Sequence, residues 1–274
     1  MCSVELLESS QHMRQKETVR IAAVGDIHCT KRSKGVLQSL FEAAAQQADI
    51  LILAGDLTDY GTIEEAHILA GEYANAGCPL PVVGVLGNHD HESGQPAAIT
   101  EILCHAGIKI LDGEAVEIDG IGFAGVKGFA GGFGRYTLGA WGETIIKNFV
   151  HEAIEEALKL EGALAKLHNP HRIAVLHYSP IAATVQGESP ELFPFLGTTR
   201  LEEPLLRYPV SAVFHGHAHA GSPHGTTSNG IPVYNVAMPL LRTLDPEQAP
   251  LRIIEFSNSA TAVADNAMPE AAPN

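Results

Sequence analysis

The stretch that decides the fold is Pro81-Val82-Val83-Gly84-Val85-Leu86-Gly87-Asn88-His89-Asp90. An apolar run rich in β-branched residues, typical of a buried strand, stops at Gly87 and is followed by an amide, an imidazole and a carboxylate. We expect Gly87 to let the backbone turn sharply, so that the three polar side chains stand above the sheet edge. Open α/β sheets bind ligands at the carboxyl ends of their strands, so this edge predicts a functional site.

Two earlier strands end in the same way. Apolar runs lead into Gly25-Asp26-Ile27-His28 and into Gly55-Asp56-Leu57-Thr58-Asp59. Helical spacing of apolar residues between the two runs predicts a strand, helix and strand, and the parallel crossover places Asp56 beside Asp26. Alternation along an extended chain puts Asp26 and His28 on one side. Because adjacent carboxylates repel one another unless a cation lies between them, this edge indicates a metal site.

Histidines follow two later predicted strands, in His177-Tyr178-Ser179-Pro180 and in His215-Gly216-His217-Ala218-His219. Alternation again places His217 and His219 on a shared side, whereas His215 falls on the other face, where packing or support of a neighbouring ligand is its expected role. Between these blocks, the segment 108–126 has the turn signals of hairpins and predicts a mixed sheet. The segment 127–142 is rich in glycine and aromatic residues. It fits a substrate-facing loop and a packed surface loop equally well.

Composition limits the partners and the location. A formal charge of −15 and a pI near 5.3 repel a polyphosphate backbone, so extended nucleic acid is not expected to bind. No apolar run is long enough to span a bilayer, and four scattered cysteines together with a polar start of the chain predict reduced thiols and a cytoplasmic location. We expect one domain over 18–256, an N-terminal tail over 1–17 and a disordered tail over 257–274.

Together these blocks resemble the signature of the calcineurin-like metallophosphoesterases. The blocks are Asp26-x-His28, Gly55-Asp56-x-x-Asp59, Gly87-Asn88-His89-Asp90, His177 and Gly216-His217-x-His219. They look nearest to the bacterial phosphodiesterase branch of that family. The resemblance implies an α/β fold, a four-layer α/β/β/α sandwich with mixed sheets, and a metal site at the carboxyl ends of the strands.

The resemblance also implies two metal ions and a proton donor. It assigns seven ligands: Asp26, His28 and His219 for one ion, Asn88, His177 and His217 for the other, and Asp56 as the bridge. Mixed oxygen and nitrogen ligands suit Mn, Fe or Zn. Two such ions, about 3.5–4 Å apart, would activate a bridging hydroxide for in-line attack. By the same likeness, His89 protonates the leaving group and the Asp59 carboxylate orients it, whereas Asp90 is expected to brace the turn.

The predicted function is hydrolysis of small-molecule phosphodiesters, such as those of nucleotides. A phosphomonoesterase of the same fold is the first alternative, because the shared ligands do not distinguish the two reactions. The second alternative is a metal-bearing interaction scaffold without catalysis. Scaffolds of this fold usually lack the catalytic histidine, and the presence of His89 therefore favours an enzyme.

Overall fold

The computed structural model describes residues 17–77 and 80–257. Within these ranges the regular elements are β1 (Thr18–Val24), α1 (Gln38–Gln47), β2 (Ile50–Ala54), α2 (Ile63–Asn75), β3 (Val82–Val85), α3 (Pro96–His105), β4 (Ile108–Ile110), β5 (Glu114–Ile118), β6 (Ile121–Gly125), α4 (Thr144–Leu164), β7 (His171–Val175), α5 (Phe193–Leu196), α6 (Glu202–Arg207), β8 (Ala212–His215), β9 (His224–Thr226), β10 (Pro232–Asn235), α7 (Met238–Leu244) and β11 (Arg252–Ser257). Except for residues 17 and 257, the predicted tails lie outside the described ranges, and the domain bounds stay a prediction.

The strands form two mixed sheets. The first has the order β11, β1, β2, β3, β4, in which only the edge strand β11 is antiparallel to its neighbour. The second has the order β5, β6, β7, β8, β10, β9, with a parallel centre and antiparallel edge strands β5 and β9. Asp119 and Gly120 connect β5 to β6 with positive φ angles of 50° and 81°, as a tight hairpin turn requires. The prediction of a mixed sheet is therefore confirmed.

Alternate residues of β1 belong to different cores. Ala22 and Val24 face the core beneath α1, α2 and α3, whereas Ile21 and Ala23 face the second sheet. A third core lies between the second sheet and α4, and it includes Leu160. Helices on one outer face, two sheets and helices on the other outer face make four layers. The predicted four-layer α/β/β/α sandwich is confirmed.

The sequence contains two Thr-x-x-Glu segments, at 62–65 and 199–202, whose spacing predicts a capping box at the start of a helix, and they behave differently. Thr62 caps α2 in a capping box, because its side chain accepts from the Glu65 N–H and the Glu65 carboxylate accepts from the Thr62 N–H. At Thr199, with Glu202 as its partner, the spacing predicts the start of a helix, and this prediction is wrong. Thr199 lies in a short 3-10 turn capped by Thr198, and α6 begins at Glu202 itself. The carboxylate of Glu202 instead accepts from a backbone N–H at position 228.

The short helix α5, the strand β9 and the helix α7 were not predicted from the sequence pattern. β9 is a three-residue edge strand, and α7 begins with Met238-Pro239 where the first sheet meets the second. Met238 donates its N–H to the Gly25 carbonyl, so α7 anchors the loop that carries Asp26. Among the described helices, none is long and apolar enough to cross a membrane.

Candidate metal centre

Four of the seven candidate ligands adopt a left-handed backbone. The φ angles are 54° for Asp26, 46° for His28, 48° for Asp56 and 68° for His217. A non-glycine residue in this region costs roughly 1–2 kcal/mol, and such strain concentrates at functional sites. From the sequence, strand alternation is expected to bring these side chains together, and that explanation is wrong. Tight turns after the strands aim these side chains into one place.

Two glycines make room for the candidate ligands. A Cβ on Gly87 would lie 2.1 Å from Oδ1 of Asp56, and a Cβ on Gly216 would lie 2.3 Å from Oδ2 of Asp26. Gly87 has no positive φ, so a sharp left-handed turn at this residue, as expected, is not what it provides. Both glycines are needed because a carboxylate packs directly against the backbone.

The first cluster consists of Asp26, His28 and His219, one ligand atom of each lying within 4.8 Å of the others. Asp26 is fully buried, and its carboxylate accepts from the backbone N–H of His217 at 2.9 and 3.1 Å. Oδ1 of Asp26 lies 3.0 Å from Nε2 of His219. This hydrogen bond raises the pKa of His219, although its burial acts in the opposite direction.

His28 supplies the test of whether the first cluster suits a metal ion. Both ring nitrogens of His28 are buried without a hydrogen-bond partner, although Oδ1 of Asp59 lies 3.1 Å from Nδ1. Burial lowers the pKa of His28, so its imidazole is held in the neutral form that binds metals. A buried, unsatisfied imidazole beside carboxylates is a costly arrangement that a cation would relieve. The first cluster fits a divalent metal.

The second cluster consists of Asp56, Asn88, His177 and His217. Nδ1 of His177 lies 2.9 Å from the Ala54 carbonyl and donates to it, which leaves Nε2 facing Oδ1 of Asn88 at 2.9 Å and Oδ1 of Asp56 at 3.3 Å. With a neutral imidazole these three atoms are all acceptors, an arrangement that a proton on Nε2 or a metal ion relieves. Burial alone would lower the pKa of His177, but the Asp56 charge outweighs it and raises that pKa to about 9. The second cluster therefore suits a proton or a metal.

A backbone carbonyl also orients His217. Nε2 of His217 donates to the carbonyl of Phe195 at 3.1 Å, and the Tyr178 ring lies 4.3 Å from the imidazole centroid. Burial lowers the pKa of His217 to about 4. The imidazole is therefore neutral with its Nδ1 available to a ligand. Sequence analysis missed both carbonyls, at 54 and 195, because a backbone acceptor leaves no signature in the residue type.

Asp56, a member of the second cluster, also faces the first. Its Oδ1 is 3.3 Å from Nε2 of His177, and its Oδ2 is 3.9 Å from Nε2 of His28. Burial alone raises the pKa of Asp56, but the adjacent His177 holds that pKa well below its usual range. The carboxylate is therefore ionised, with one oxygen directed to each cluster.

His89 lies at the rim, between the clusters and solvent. Its ring is 41% exposed and packs edge-on against His28, with centroids 4.5 Å apart. Nδ1 of His89 lies 2.6 Å from the backbone carbonyl of Asp59, whereas the Asp59 carboxylate is 3.8 Å away. The main chain, rather than the carboxylate expected from the sequence, forms the hydrogen bond that orients His89. Nε2 of His89 remains available.

Asp90 holds the turn together. Its fully buried carboxylate accepts from the backbone N–H groups of Leu57, Thr58 and Gly87, and from the hydroxyl of Thr58. The predicted bracing role is confirmed. His215 is also buried, with Nε2 2.8 Å from the Thr184 hydroxyl. Its predicted packing role is confirmed as well.

The glycine and aromatic segment 127–142 packs against the segment 194–200. Backbone N–H groups at 131 and 132 donate to carbonyls at 194 and 197, each at 2.8 Å. Arg135 stacks on the ring of Tyr136, which is exposed, as is Trp141. The segment therefore supports Phe195, whose carbonyl orients a candidate ligand. Contact of this segment with a substrate stays a prediction.

Comparison with solved structures shows the same fold. One crystal structure shares 16% identity with a TM-score of 0.52, covering 80% of this chain and 91% of the other. TT1561 of Thermus thermophilus shares 17% identity with a TM-score of 0.49, covering 82% of this chain and 91% of the other. A putative 5′-nucleotidase from Staphylococcus aureus shares 14% identity with a TM-score of 0.48, covering 80% of this chain and 48% of the other. The chain thus spans about half the length of the latter protein.

Sequence comparison identifies the family. Among curated protein sequences no significant match was found. A family model described as calcineurin-like phosphoesterase matches residues 19–221, a range that contains both clusters. The chain therefore belongs to the calcineurin-like phosphoesterase family.

Proposed function

We propose that this protein hydrolyses phosphodiesters of small molecules, nucleotides among them, with two metal ions. Family membership supports metal-dependent phosphoester hydrolysis. The observation that carries the proposal is the position of Asp56, which directs one carboxylate oxygen to each of two adjacent clusters. A single carboxylate shared in this way is the arrangement that a dinuclear centre requires.

The ligands divide between the two ions as the clusters do. The first ion is held by Asp26, His28 and His219, the second by Asn88, His177 and His217, and Asp56 belongs to both. When bound, the two ions supply a nucleophile at neutral pH and neutralise charge on the phosphoryl oxygens. The mixed oxygen and nitrogen donors favour Mn, Fe or Zn.

His89 is the proposed proton donor. Its Nδ1–H donates to the Asp59 carbonyl, so the ring is a proton donor in its imidazolium form, in which Nε2 carries the second proton. The partly exposed ring lies beside His28, at the rim where the leaving group departs. A histidine held in this way can transfer a proton to an alkoxide leaving group. The Asp59 carboxylate, 3.1 Å from Nδ1 of His28, is proposed to position that imidazole as well.

The diesterase preference rests on the resemblance of the motif blocks to the bacterial phosphodiesterase branch. A net charge of −15 disfavours extended nucleic acid and leaves small phosphoesters as the proposed substrates. A cytoplasmic location stays a prediction from the composition.

Hydrolysis of two model esters tests the function and ranks its alternatives. Purified protein, stripped with a chelator and reloaded with Mn²⁺, is assayed on bis(p-nitrophenyl) phosphate and on p-nitrophenyl phosphate. We expect metal-dependent hydrolysis, with the diester preferred. Preference for the monoester would assign a phosphomonoesterase, and absence of hydrolysis with both metals bound would assign a scaffold. Full activity of metal-free protein would overturn the mechanism.

A further inference from the structure

A cleft of about 420 Å³ opens beside the metal centre on the side of Asp59. It is lined by Thr30, Lys31, Arg32, Asp59, Tyr60 and Glu65. This volume lies within the range of small-molecule sites. Asp59 joins the cleft to the site, because its carbonyl contacts His89 while its carboxylate faces His28. Asp59 therefore separates the cleft from the rim where His89 lies by a single residue.

Arg32 carries the available positive charge in this cleft. Lys31 is already paired, with its Nζ 2.6 Å from the carboxylate of Glu64. Glu65 is buried and its carboxylate accepts from the backbone N–H of Tyr60 at 3.0 Å, so it does not face the opening. The exposed guanidinium of Arg32 has no hydrogen bond or ion pair within the ranges that the structure describes. In a protein of net charge −15, an unpaired arginine beside an anion-binding centre attracts a second negative group.

Tyr60 adds a flat apolar surface. Its ring is 62% exposed, while its backbone is fixed by the hydrogen bond to Glu65. An exposed aromatic ring on a fixed backbone stacks on a planar ligand at little entropic cost. Together, Tyr60 and Arg32 present a ring-binding face and an anion-binding fork, which are the two groups that recognise a nucleotide.

We propose that this cleft binds the leaving group, and that the favoured substrates are phosphoesters whose leaving group joins a planar ring to a negative charge, as a nucleotide does. The inference rests on the proposed function, because it is the position of His89 that identifies the leaving-group side. The leaving oxygen lies next to Nε2 of His89, and the Asp59-Tyr60 main chain runs from that histidine into the cleft. Arg32 then contacts the distal negative group.

A matched pair of diesters tests this inference. Methyl 4-carboxyphenyl phosphate and methyl 4-carbamoylphenyl phosphate have the same planar leaving group, but only the first carries a charge on it. The methoxide does not compete as a leaving group, so the aryl group is the one that departs. For each ester, kcat/KM of a variant is divided by kcat/KM of the native protein. This ratio cancels the difference in intrinsic reactivity between the two esters.

We expect Arg32→Ala, assayed as the Mn²⁺-loaded protein, to lower kcat/KM for the carboxylate ester roughly threefold to tenfold more than for the amide ester. Arg32→Lys should recover part of this difference, because the charge remains without the planar fork. Tyr60→Ala should lower kcat/KM for both esters. The matched control is Arg20→Ala, since Arg20 is an exposed arginine near the opposite end of β1. Arg20→Ala should change kcat/KM for the two esters by the same factor.

The outcomes separate this inference from the proposed function. If the native, metal-loaded protein hydrolyses neither ester, the proposed function fails and the inference fails with it. If the native protein hydrolyses both esters and Arg32→Ala lowers kcat/KM for both by the same factor, the inference alone is overturned. If Arg20→Ala lowered kcat/KM for the carboxylate ester as selectively as Arg32→Ala does, the effect would be one of long-range charge. That result would also overturn the inference.

Discussion

The two clusters of the metal centre are held in different ways. In the second cluster, backbone carbonyls at 54 and 195 fix His177 and His217, and His177 is fully buried. In the first cluster, the partners are carboxylates, both nitrogens of His28 are unsatisfied, and the side chain of His219 is 43% exposed. Main-chain hydrogen bonds orient a ligand before any metal arrives, whereas exposed side chains lose more freedom on binding. We therefore expect the second cluster to contribute to the fold itself and the first to depend on its metal.

The largest effect is expected from replacing Asp56, the carboxylate that faces both clusters. Asp56→Asn should weaken both metal sites and reduce activity by about 10⁴-fold or more, because each ion contributes several kcal/mol to the transition state. His28→Ala should mainly deplete one ion. Metal content per chain, measured by elemental analysis after dialysis, distinguishes these outcomes. Normal occupancy of both sites in Asp56→Asn would show that the carboxylate is not the bridge.

His89→Ala should retain both metals and lose about 10²–10⁴-fold in rate, the usual range for general acid catalysis. The loss should be larger for an alkyl ester than for a nitrophenyl ester, because nitrophenolate departs without a proton. The loss is measured as kcat/KM on both esters, with protein whose metal content has been verified. His91→Ala is the matched control, since His91 is an exposed histidine two residues away. Equal losses on both esters would mean that His89 acts on the phosphoryl oxygens instead.

A stability comparison tests the difference between the clusters directly. In metal-free protein, His177→Ala leaves the buried carboxylate of Asp56 without its ion pair and should cost about 3–5 kcal/mol. His219→Ala should cost at most about 1 kcal/mol, because its side chain is partly exposed. Urea unfolding of both variants after chelation gives these free energies. Equal costs would remove the distinction between the clusters.

The pH dependence of the metal-free fold sharpens the same comparison. The Asp56 charge outweighs burial and raises the pKa of His177 to about 9 from an ordinary 6.5, so the folded state binds this proton more tightly than the unfolded state. The stabilisation is complete below pH 6.5 and is lost as pH rises through 9, an effect of about 3 kcal/mol. Urea unfolding at pH 6.5, 8 and 9.5 follows this loss. His177→Ala should lack it, and an unchanged profile in that variant would contradict the assignment.

The order of the first strands along the chain could be predicted from the sequence, because each strand is an apolar run that ends in polar residues. The apolar runs that lead to Asp26, Asp56 and Asn88 coincide with β1, β2 and β3. The polar residues beyond them converge because parallel strands bring their carboxyl ends to one edge. These features follow from residue type and order, which a sequence shows directly.

The remaining features depend on backbone geometry and on residues distant in sequence. Strand alternation did not predict the left-handed φ angles of Asp26 and His28, since the turn is set by packing against neighbouring loops. The carbonyl of Phe195 carries no signal in its side chain, and Arg32 joins Tyr60 only when the loops after β1 and β2 fold side by side. Such contacts are decided by tertiary structure.

The division of the ligands between the two sheets has a consequence for the order of assembly during synthesis. The candidate ligands from Asp26 to Asn88 follow strands of the first sheet, those from His177 to His219 follow strands of the second, and each cluster draws on both sets. On the ribosome, the amino-terminal half emerges first. Neither cluster is complete until the chain has been made beyond His219 and the sheets have docked. On the proposed function, we therefore expect stable metal uptake only by chains that extend beyond His219, and a product truncated before that residue should not retain both ions.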